Sequence, residues 1–410
     1  MNTPLHAPDL VIAMLMNPHG TTGVQTHVQQ FAAHLRAQQR PGVLATPFDA
    51  PLALVASLIG LRRVLERRHP EAAVRLYRHG HAWLLGRALR RRLSTGQDCI
   101  VYCQCPVSAE VALRVRSTPR QRVVLVTHFN GSQADEWAGK GLIAPDGPLH
   151  RQISTFEQDL LPRLDAVVYV SAHVQRQLQA RIPALASVPA AVIPNFIADP
   201  LATPRPAVDV SDPPVRDLLC IGTLEPRKNQ RHVLRTLAAL KARGLVLTVT
   251  FAGDGPDRAA LAEAARQLGI DAQVHLAGHV PQASTLFAHH RACIHAARAE
   301  TQGLCLIEAM AWGRPVFAAP VDGVPEVLQD DVQGRYLPLH DPHAAADILA
   351  DAWRDGPRWQ RWATAARDRY TGHYRRDDVA ARLERFLRHP PQVDPVDTGA
   401  AHRSNRSAWT

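Results

Sequence analysis

Lysine is nearly missing from this chain. Of 47 basic residues only Lys140, Lys228 and Lys241 are lysines, and the other 44 are arginines. So uniform a bias is the mark of a GC-rich genome, and arginine abundance by itself says nothing of function. Long hydrophobic runs are missing too. The longest, Pro51 to Leu61, falls far short of the ~20 residues that a membrane-spanning helix needs, so no span is expected. The first residues, MNTPLHAPDL, have neither a basic start nor a long apolar stretch, and do not read as a signal peptide. Cysteine is sparse: Cys99, Cys103, Cys105, Cys220, Cys293 and Cys305, mostly inside apolar strand-like runs. Cys103-x-Cys105 lacks a second pair or a histidine at metal spacing, which argues against a metal site. The six read as buried thiols of a reducing cytoplasm. No recognised nucleic-acid reader motif is present either.

What remains is an ordinary globular composition, 46% hydrophobic and 20% charged. At 410 residues there is room for two domains, each with its own core. Short apolar runs alternate with amphipathic helical patterns from end to end, which predicts α/β architecture with parallel sheets. In the first half the strands are expected at Leu10–Met16, Cys99–Cys103, Val123–Thr127, Ala166–Val170 and Ala190–Ile193. Val24, Val28, Phe31 and Leu35 recur at helical spacing directly after the first. In the second half they are expected at Leu218–Gly222, Leu245–Ala252, Val274–Ala277, Cys293–Ala296 and Val316–Ala319, with helices near 229–242, 256–268 and 303–312. This divides the chain into a first domain at 1–198, a linker at 199–217 and a second domain at 218–370. A C-terminal helix at 371–388 is expected to return to the first domain. The linker carries prolines at 200, 204, 206, 213 and 214, a stiff composition unsuited to either core. The tail at 389–410 lacks periodicity and reads as disordered.

In open parallel sheets, ligands collect at the carboxyl ends of strands, and the polar, glycine-rich segments fall there. ETQGLCLIEAMAWGRPV, residues 300–316, reads as a loop, a helix start at Gly303-Leu304, a helix carrying Glu308, a stop at Gly313 and a strand. Glycine permits close approach of a ligand to the backbone, and the unpaired N–H groups of a helix start favour an anion. Glu300 sits just before that start, and Glu308 lies about a turn and a half further in. A phosphate flanked by two polyol-binding carboxylates suits this layout, as in a nucleotide sugar. Arg227 and Lys228 stand after another strand and just before a helix, where cations oppose the helix dipole unless an anion is present. Gly20 and Gly23 open the helix after the first strand and can turn backbone donors toward a phosphate or an acceptor group. His128 follows the strand at 123–127.

The segment 300–316 closely resembles the E-x7-E element of the family-4 retaining glycosyltransferases, two-domain enzymes of the GT-B fold. The resemblance spans roughly residues 10–385 and is densest between 218 and 330. It implies two Rossmann-like domains facing a cleft, with Glu300 on hydroxyls of the donor sugar and Glu308 on the nucleotide ribose. It implies that Arg227 and Lys228 meet the diphosphate, and that His128 contacts the sugar from the opposing domain. Gly253 and Gly255 in FAGDGPDR resemble a tight turn beside the nucleotide, and His279 and Val280 a segment that holds the base through backbone groups. Gly23 resembles the family's N-terminal glycine loop, although the usual adjacent glycine pair is here Thr22-Gly23. Ser171 and Asn195 match further landmarks and read as structural, as does the closing turn Gly323-Val-Pro-Glu326. Thr223 replaces a frequent arginine, and Phe196 a frequent glycine.

These implications amount to a retaining hexosyltransferase, using a nucleoside-diphosphate sugar and a saccharide or lipid-linked acceptor, without a cofactor or metal. A GT-B-fold nucleotide-sugar 2-epimerase and a non-catalytic nucleotide-sugar-binding partner are the alternatives. One further segment stands apart. From Arg62 to Arg92 there are ten arginines and two acids, interleaved with Leu, Val, Tyr77 and Trp83. Together with Pro51–Leu61 this predicts helices able to lie on an anionic membrane surface, and so a cytoplasmic protein peripheral to the membrane. A plain solvated helical face is the alternative.

Overall fold

A computed structural model describes residues 9–40, 42–93, 96–202 and 216–391. Most of the linker and of the tail anticipated from composition lies outside the described residues. Each half of the chain builds one six-stranded, all-parallel sheet. The first contains β1 (Leu10–Ala13), β2 (Val43–Ala45), β3 (Cys99–Cys103), β4 (Gln121–Thr127), β5 (Ala166–Tyr169) and β6 (Ala190–Val192). The second contains β7 (Arg216–Ile221), β8 (Val249–Ala252), β9 (Val274–Gly278), β10 (His290–His295), β11 (Val316–Ala318) and β12 (Gly334–Tyr336). Central strands such as β3, β5 and β8 are buried along their whole length. Sheets covered by helices on both faces need such unbroken apolar runs.

The helices of the first half are α1 (Gly23–Ala37), α2 (Leu52–Arg68), α3 (Pro70–Arg92), α4 (Pro106–Val115), α5 (Gln133–Gly139), α6 (Pro148–Leu160) and α7 (Ala172–Arg181). Those of the second are α8 (Gln230–Ala242), α9 (Arg258–Gln267), α10 (Leu304–Ala311), α11 (Val324–Val327), α12 (Pro342–Arg354), α13 (Gly356–His373) and α14 (Arg376–Arg388). Local chemistry sets several of their starts. Thr22 and Gln25 form a reciprocal capping box at α1, and the Ser132 and Ser171 hydroxyls accept from Ala134 and Val174 N–H groups at α5 and α7. Pro70 occupies the first turn of α3, where its missing N–H costs nothing, and so divides the basic segment into two helices. The final helix, α14, packs against α1 and β3 of the first sheet. Arg388 pairs with Asp9 at 3.0 Å, and Arg40 with Glu384 at 3.3 Å.

Some strands differ from their sequence expectation. Of Leu245–Ala252 only the last four residues join a ladder. Gly244, in the left-handed region at φ +78°, and the Leu245 N–H bonded to the Leu240 carbonyl use the preceding residues to end α8. The strand expected at Leu10–Met16 ends at Ala13. The edge strands β2 and β12, three residues each, are too short to announce themselves by period.

Strand order places the site. The sheets run β2-β1-β3-β4-β5-β6 and β12-β11-β10-β7-β8-β9. In the first, the winding reverses at β1/β3, and in the second at β7/β10. Crevices for ligands open at such reversals, beyond the carboxyl ends of the strands. The segment after β7 leads to Lys228, and the segment after β10 leads to Glu300.

Candidate active site

The second crevice is organised around one carboxylate. Glu300 Oε2 is bound by Lys228 Nζ and by His295 Nε2, the latter at 3.2 Å. Oε1 has no protein partner among the described residues and is left for a ligand. Burial alone would raise this carboxyl. The Lys228 charge and the His295 hydrogen bond outweigh it and hold Glu300 far below the usual carboxylate range. His295, in turn, would be lowered by burial, but Cys305 and Glu300 at its two nitrogens lift it to about 9. The Cys305 sulfur lies 3.6 Å from His295 Nδ1. The hydrogen bond from Cys293, with His295 and Lys228 nearby, lowers the Cys305 thiol well below its ordinary value against the effect of burial. Lys228, Glu300, His295 and Cys305 thus form one connected run of polar groups through the floor of the crevice.

Beside them α10 begins. Gly303 stands at φ +81° as its N-cap, and a Cβ there would press on Leu306 and approach Glu300 Cγ at 3.4 Å. The Leu304 and Cys305 N–H groups have no protein acceptor among the described residues, which leaves donors for an anion at a positive helix end. Glu308, half-buried on the same helix, also has no hydrogen bond or ion pair from its side chain among the described residues. Burial, with Cys305 adding to it, pushes it up to about 8. Three turns close the rim. A Cβ at Gly253 would lie 2.0 Å from the Gly222 carbonyl oxygen, and one at Gly255 2.3 Å from that of Leu224. Gly253 N–H donates to the Gly278 carbonyl at 2.8 Å. His279 is exposed at this rim, with Val280 half-buried beside it. Thr21, in the glycine loop of the first domain, reaches His279 Nδ1 at 3.5 Å. Gly23 itself has open space where a side chain would stand.

Arg227 and Lys228 share a turn but not a state. Lys228 is turned into the crevice. Arg227 is bound by Glu225 at 2.8 Å and by the Ala299 carbonyl at 3.1 Å, so its guanidinium is already occupied.

The opposing edge is uncharged. His27 on α1 sits between Asn195 Oδ1 at 3.0 Å and the Tyr102 hydroxyl at 2.9 Å. Its ring meets that of His128 edge-on at 4.8 Å. Burial outweighs the Asn195 bond and lowers His27 to about 4. Burial and then His27 push His128 well below its ordinary value. Contacts join the two edges. Asp322 Oδ2 accepts from Glu300 N–H at 2.9 Å and from Asn130 Nδ2 at 2.6 Å. The Ser171 hydroxyl donates to the Thr301 carbonyl at 2.8 Å, and the Gln302 side chain accepts from Asn195 N–H at 2.7 Å. Glu326 caps α7 through the N–H groups of Ala172 and His173 at 2.7 and 2.6 Å. Ser171, Asn195 and Glu326 therefore join the domains.

Sequence reasoning missed His27, Gln104, His295, Cys305 and Asp322. His27 and Cys305 lie inside apolar helical patterns, and His295 inside a strand, where spacing cannot tell a polar contact from core. Asp322 carried a faint signal in its place directly before Gly323. Among the described residues no group of three His, Cys, Asp or Glu stands close enough to hold a metal ion.

Comparisons with known proteins bear on the family and the fold. The family model described as Glycosyltransferase Family 4 matches residues 21–199, and that described as Glycosyl transferases group 1 matches residues 208–369. A GDP-mannose-dependent alpha-(1-6)-phosphatidylinositol monomannoside mannosyltransferase of Mycobacterium tuberculosis is 28% identical over 240 residues, 55% of this chain and 62% of that protein. A D-inositol 3-phosphate glycosyltransferase of Mycolicibacterium paratuberculosis is 35% identical over 139 residues, 33% of this chain and 31% of the relative. The chain thus spans 62% and 31% of the length of these two relatives. Among solved structures, Anabaena HepE in complex with UDP and glucose superposes with a TM-score of 0.66 at 15% identity, over 92% of this chain and 99% of that one. Sucrose-phosphate synthase of Thermosynechococcus elongatus gives 0.65 at 16% identity, over 92% and 98%. At such identity the structures speak to the shared GT-B fold alone.

Proposed function

The chain belongs to glycosyltransferase family 4, and from that premise we propose that it moves a hexose-type sugar from a nucleoside diphosphate to a hydroxyl of a saccharide or lipid-linked saccharide. The observation that carries this reading is the Lys228–Glu300 pair beside the unpaired N–H groups at the start of α10. Lys228 and that helix start stabilise the departing diphosphate, where negative charge grows as the glycosidic bond breaks. Glu300 Oε1 grips sugar hydroxyls, Glu308 the ribose, and His128 meets the sugar from the first domain. Arg227 joins the clamp only by giving up Glu225. Gly253, Gly255, His279 and Val280 line the nucleotide, and Gly23 lies on the acceptor side. With cationic groups already in place the reading calls for no metal. It takes the transfer to retain anomeric configuration, as the family resemblance implies.

The acceptor side carries a second part of the proposal. Leu52, Leu61, Val64 and Trp83 are exposed on α2 and α3 at 83%, 52%, 65% and 54%, amid the arginines. Among the described residues no helix is long and apolar enough to cross a membrane. An anionic bilayer surface fits such a face, placing the enzyme at the inner side of the cytoplasmic membrane, in cell-surface polysaccharide or glycolipid synthesis. Sedimentation with anionic and with neutral liposomes tests it: binding that needs the anionic lipid and falls with salt is expected.

For the transfer itself, the test is a thermal-shift screen of UDP-, GDP- and ADP-linked hexoses, followed by turnover with the donor that binds. A donor bound only by the folded state raises the melting point. One base should stand out, and the same donor should be consumed only with acceptor or slowly with water. Conversion of the donor alone into an isomeric nucleotide sugar would replace transfer by epimerisation.

A further inference from the structure

The uncharged edge of the first domain contains a residue without an assigned role. Gln104 directly follows β3, is 4% exposed, and is tied by its backbone N–H to the Ala13 carbonyl at 3.0 Å. It therefore stands at the β1/β3 reversal, at the mouth of the first crevice. Its amide nitrogen points to the Tyr102 carbonyl at 3.5 Å, and its Oε1 faces His128 Nε2 at 3.2 Å. A carbonyl only accepts, which sets the amide's orientation: nitrogen toward Tyr102, oxygen toward His128. That oxygen also only accepts, so His128 Nε2 must carry the hydrogen. A neutral imidazole has a single N–H, and the lone pair is then on Nδ1.

Two features keep the ring in that form. His27 from α1, hydrogen-bonded to Asn195 and Tyr102, is the titratable group that acts on it, and burial keeps His27 itself neutral. Burial disfavours an imidazolium at either position. His128 Nδ1 makes no hydrogen bond within the protein among the described residues, yet it is not one of the sealed, unpartnered polar atoms. It stays within reach of solvent.

We propose that Gln104 is a positioning residue that holds His128 as a hydrogen-bond acceptor, so that the site selects a donor sugar presenting a hydroxyl to Nδ1. This rests on the glycosyltransferase reading and adds a direction to one of its contacts. A sugar lacking the hydroxyl leaves Nδ1 unpaired and is turned over more slowly.

The test uses the full chain and the nucleoside-diphosphate hexose that the wild type consumes. Gln104→Met keeps the length of the side chain but releases the tautomer. It should lower kcat/KM for the donor about tenfold, the loss of roughly one net hydrogen bond, while affinity for the free nucleoside diphosphate stays within about twofold. Gln104→Glu keeps an acceptor at Nε2 but favours the imidazolium, whose Nδ1–H cannot accept. An inflection absent from the wild type should then appear between about pH 5 and 8, with activity lost as pH falls. Equal loss of sugar-bearing and sugar-free ligands in Gln104→Met would show a structural role only and overturn the proposal. So would a Gln104→Glu profile superimposable on the wild type. If Gln104→Glu does not fold, the comparison of ligands in Gln104→Met decides alone. Wild-type turnover accompanies every arm, so failure of the enzyme reading would appear there first.

Discussion

The two sheets share a six-stranded, all-parallel architecture, though they differ in strand order, and they end in opposite electrostatics. At the β1/β3 reversal the polar groups are neutral: His27 with Asn195 and Tyr102, and His128 with Gln104, hydrogen-bond without a formal charge. At the β7/β10 reversal a charged pair, Lys228 and Glu300, is joined through His295 to Cys305. Neutral contacts orient hydroxyls by direction, whereas charged ones hold an anion and respond to charge that develops during reaction. Under the proposed function the two edges would serve two halves of one substrate, with chemistry at the strand ends dividing the labour.

The sharpest break of this contrast lies in the charged half. Lys228→Ala and Glu300→Gln should each lower kcat by about 10²–10³, the range for removing one preorganised electrostatic group. The circular dichroism spectrum should stay unchanged. Steady-state turnover checks it, and near-normal rates in both would end the assignment.

Acid and alkali should next act on different halves. His27 sits at about 4 in the fold against 6.5 free, because burial outweighs its Asn195 bond. Its neutral form is the one that folding favours. That stability is present above pH 6.5 and is lost as pH falls toward 4, worth about 3 kcal/mol. His295 has the opposite sign. Raised to about 9, it contributes fully below 6.5, and the contribution fades as pH rises through 9. The Glu300 loss comes separately, below the ordinary carboxylate range. Melting temperature against pH checks this: His27→Gln should flatten the acid limb and His295→Gln the alkaline one. Exchanged limbs would contradict it.

Smaller effects sharpen how the halves communicate. Asp322→Asn weakens the acceptor shared by Glu300 N–H and Asn130, and should lower kcat/KM about tenfold. Cys305→Ser keeps a polar group beside His295 but replaces the sulfur that helps to raise it. About a threefold loss is expected, with the alkaline limb of stability moved to lower pH. A Cys305→Ser curve identical to the wild type would show that Cys305 does not act on His295.

Much of this plan was legible in the residues, and the reason is local. Alternating apolar runs and helical periods specify layers, so ten of the twelve strands described here were expected near their positions. Gly303, Glu300 and Glu308 lie within one helix and its approach, where spacing is geometry. Lys228 was conspicuous because lysine is so rare. What stayed hidden is what tertiary packing alone brings together. Lys228 reaches Glu300, the carboxylate that His295 also binds, across 72 positions of chain, and His27 meets Asn195 across 168. Neither distance leaves a trace in local pattern. Arg227 shows the converse: its neighbour's role suggested a shared clamp, but Glu225, two residues away, holds its guanidinium.

The division of labour is tested most directly by calorimetric titration of the free nucleoside diphosphate and of the intact donor into wild type, Lys228→Ala and His128→Ala. Lys228→Ala should weaken both ligands by about 100-fold, as the loss of a charge-assisted contact to phosphate. His128→Ala should leave the free diphosphate untouched and weaken only the sugar-bearing donor. Unchanged diphosphate affinity in Lys228→Ala would contradict the account.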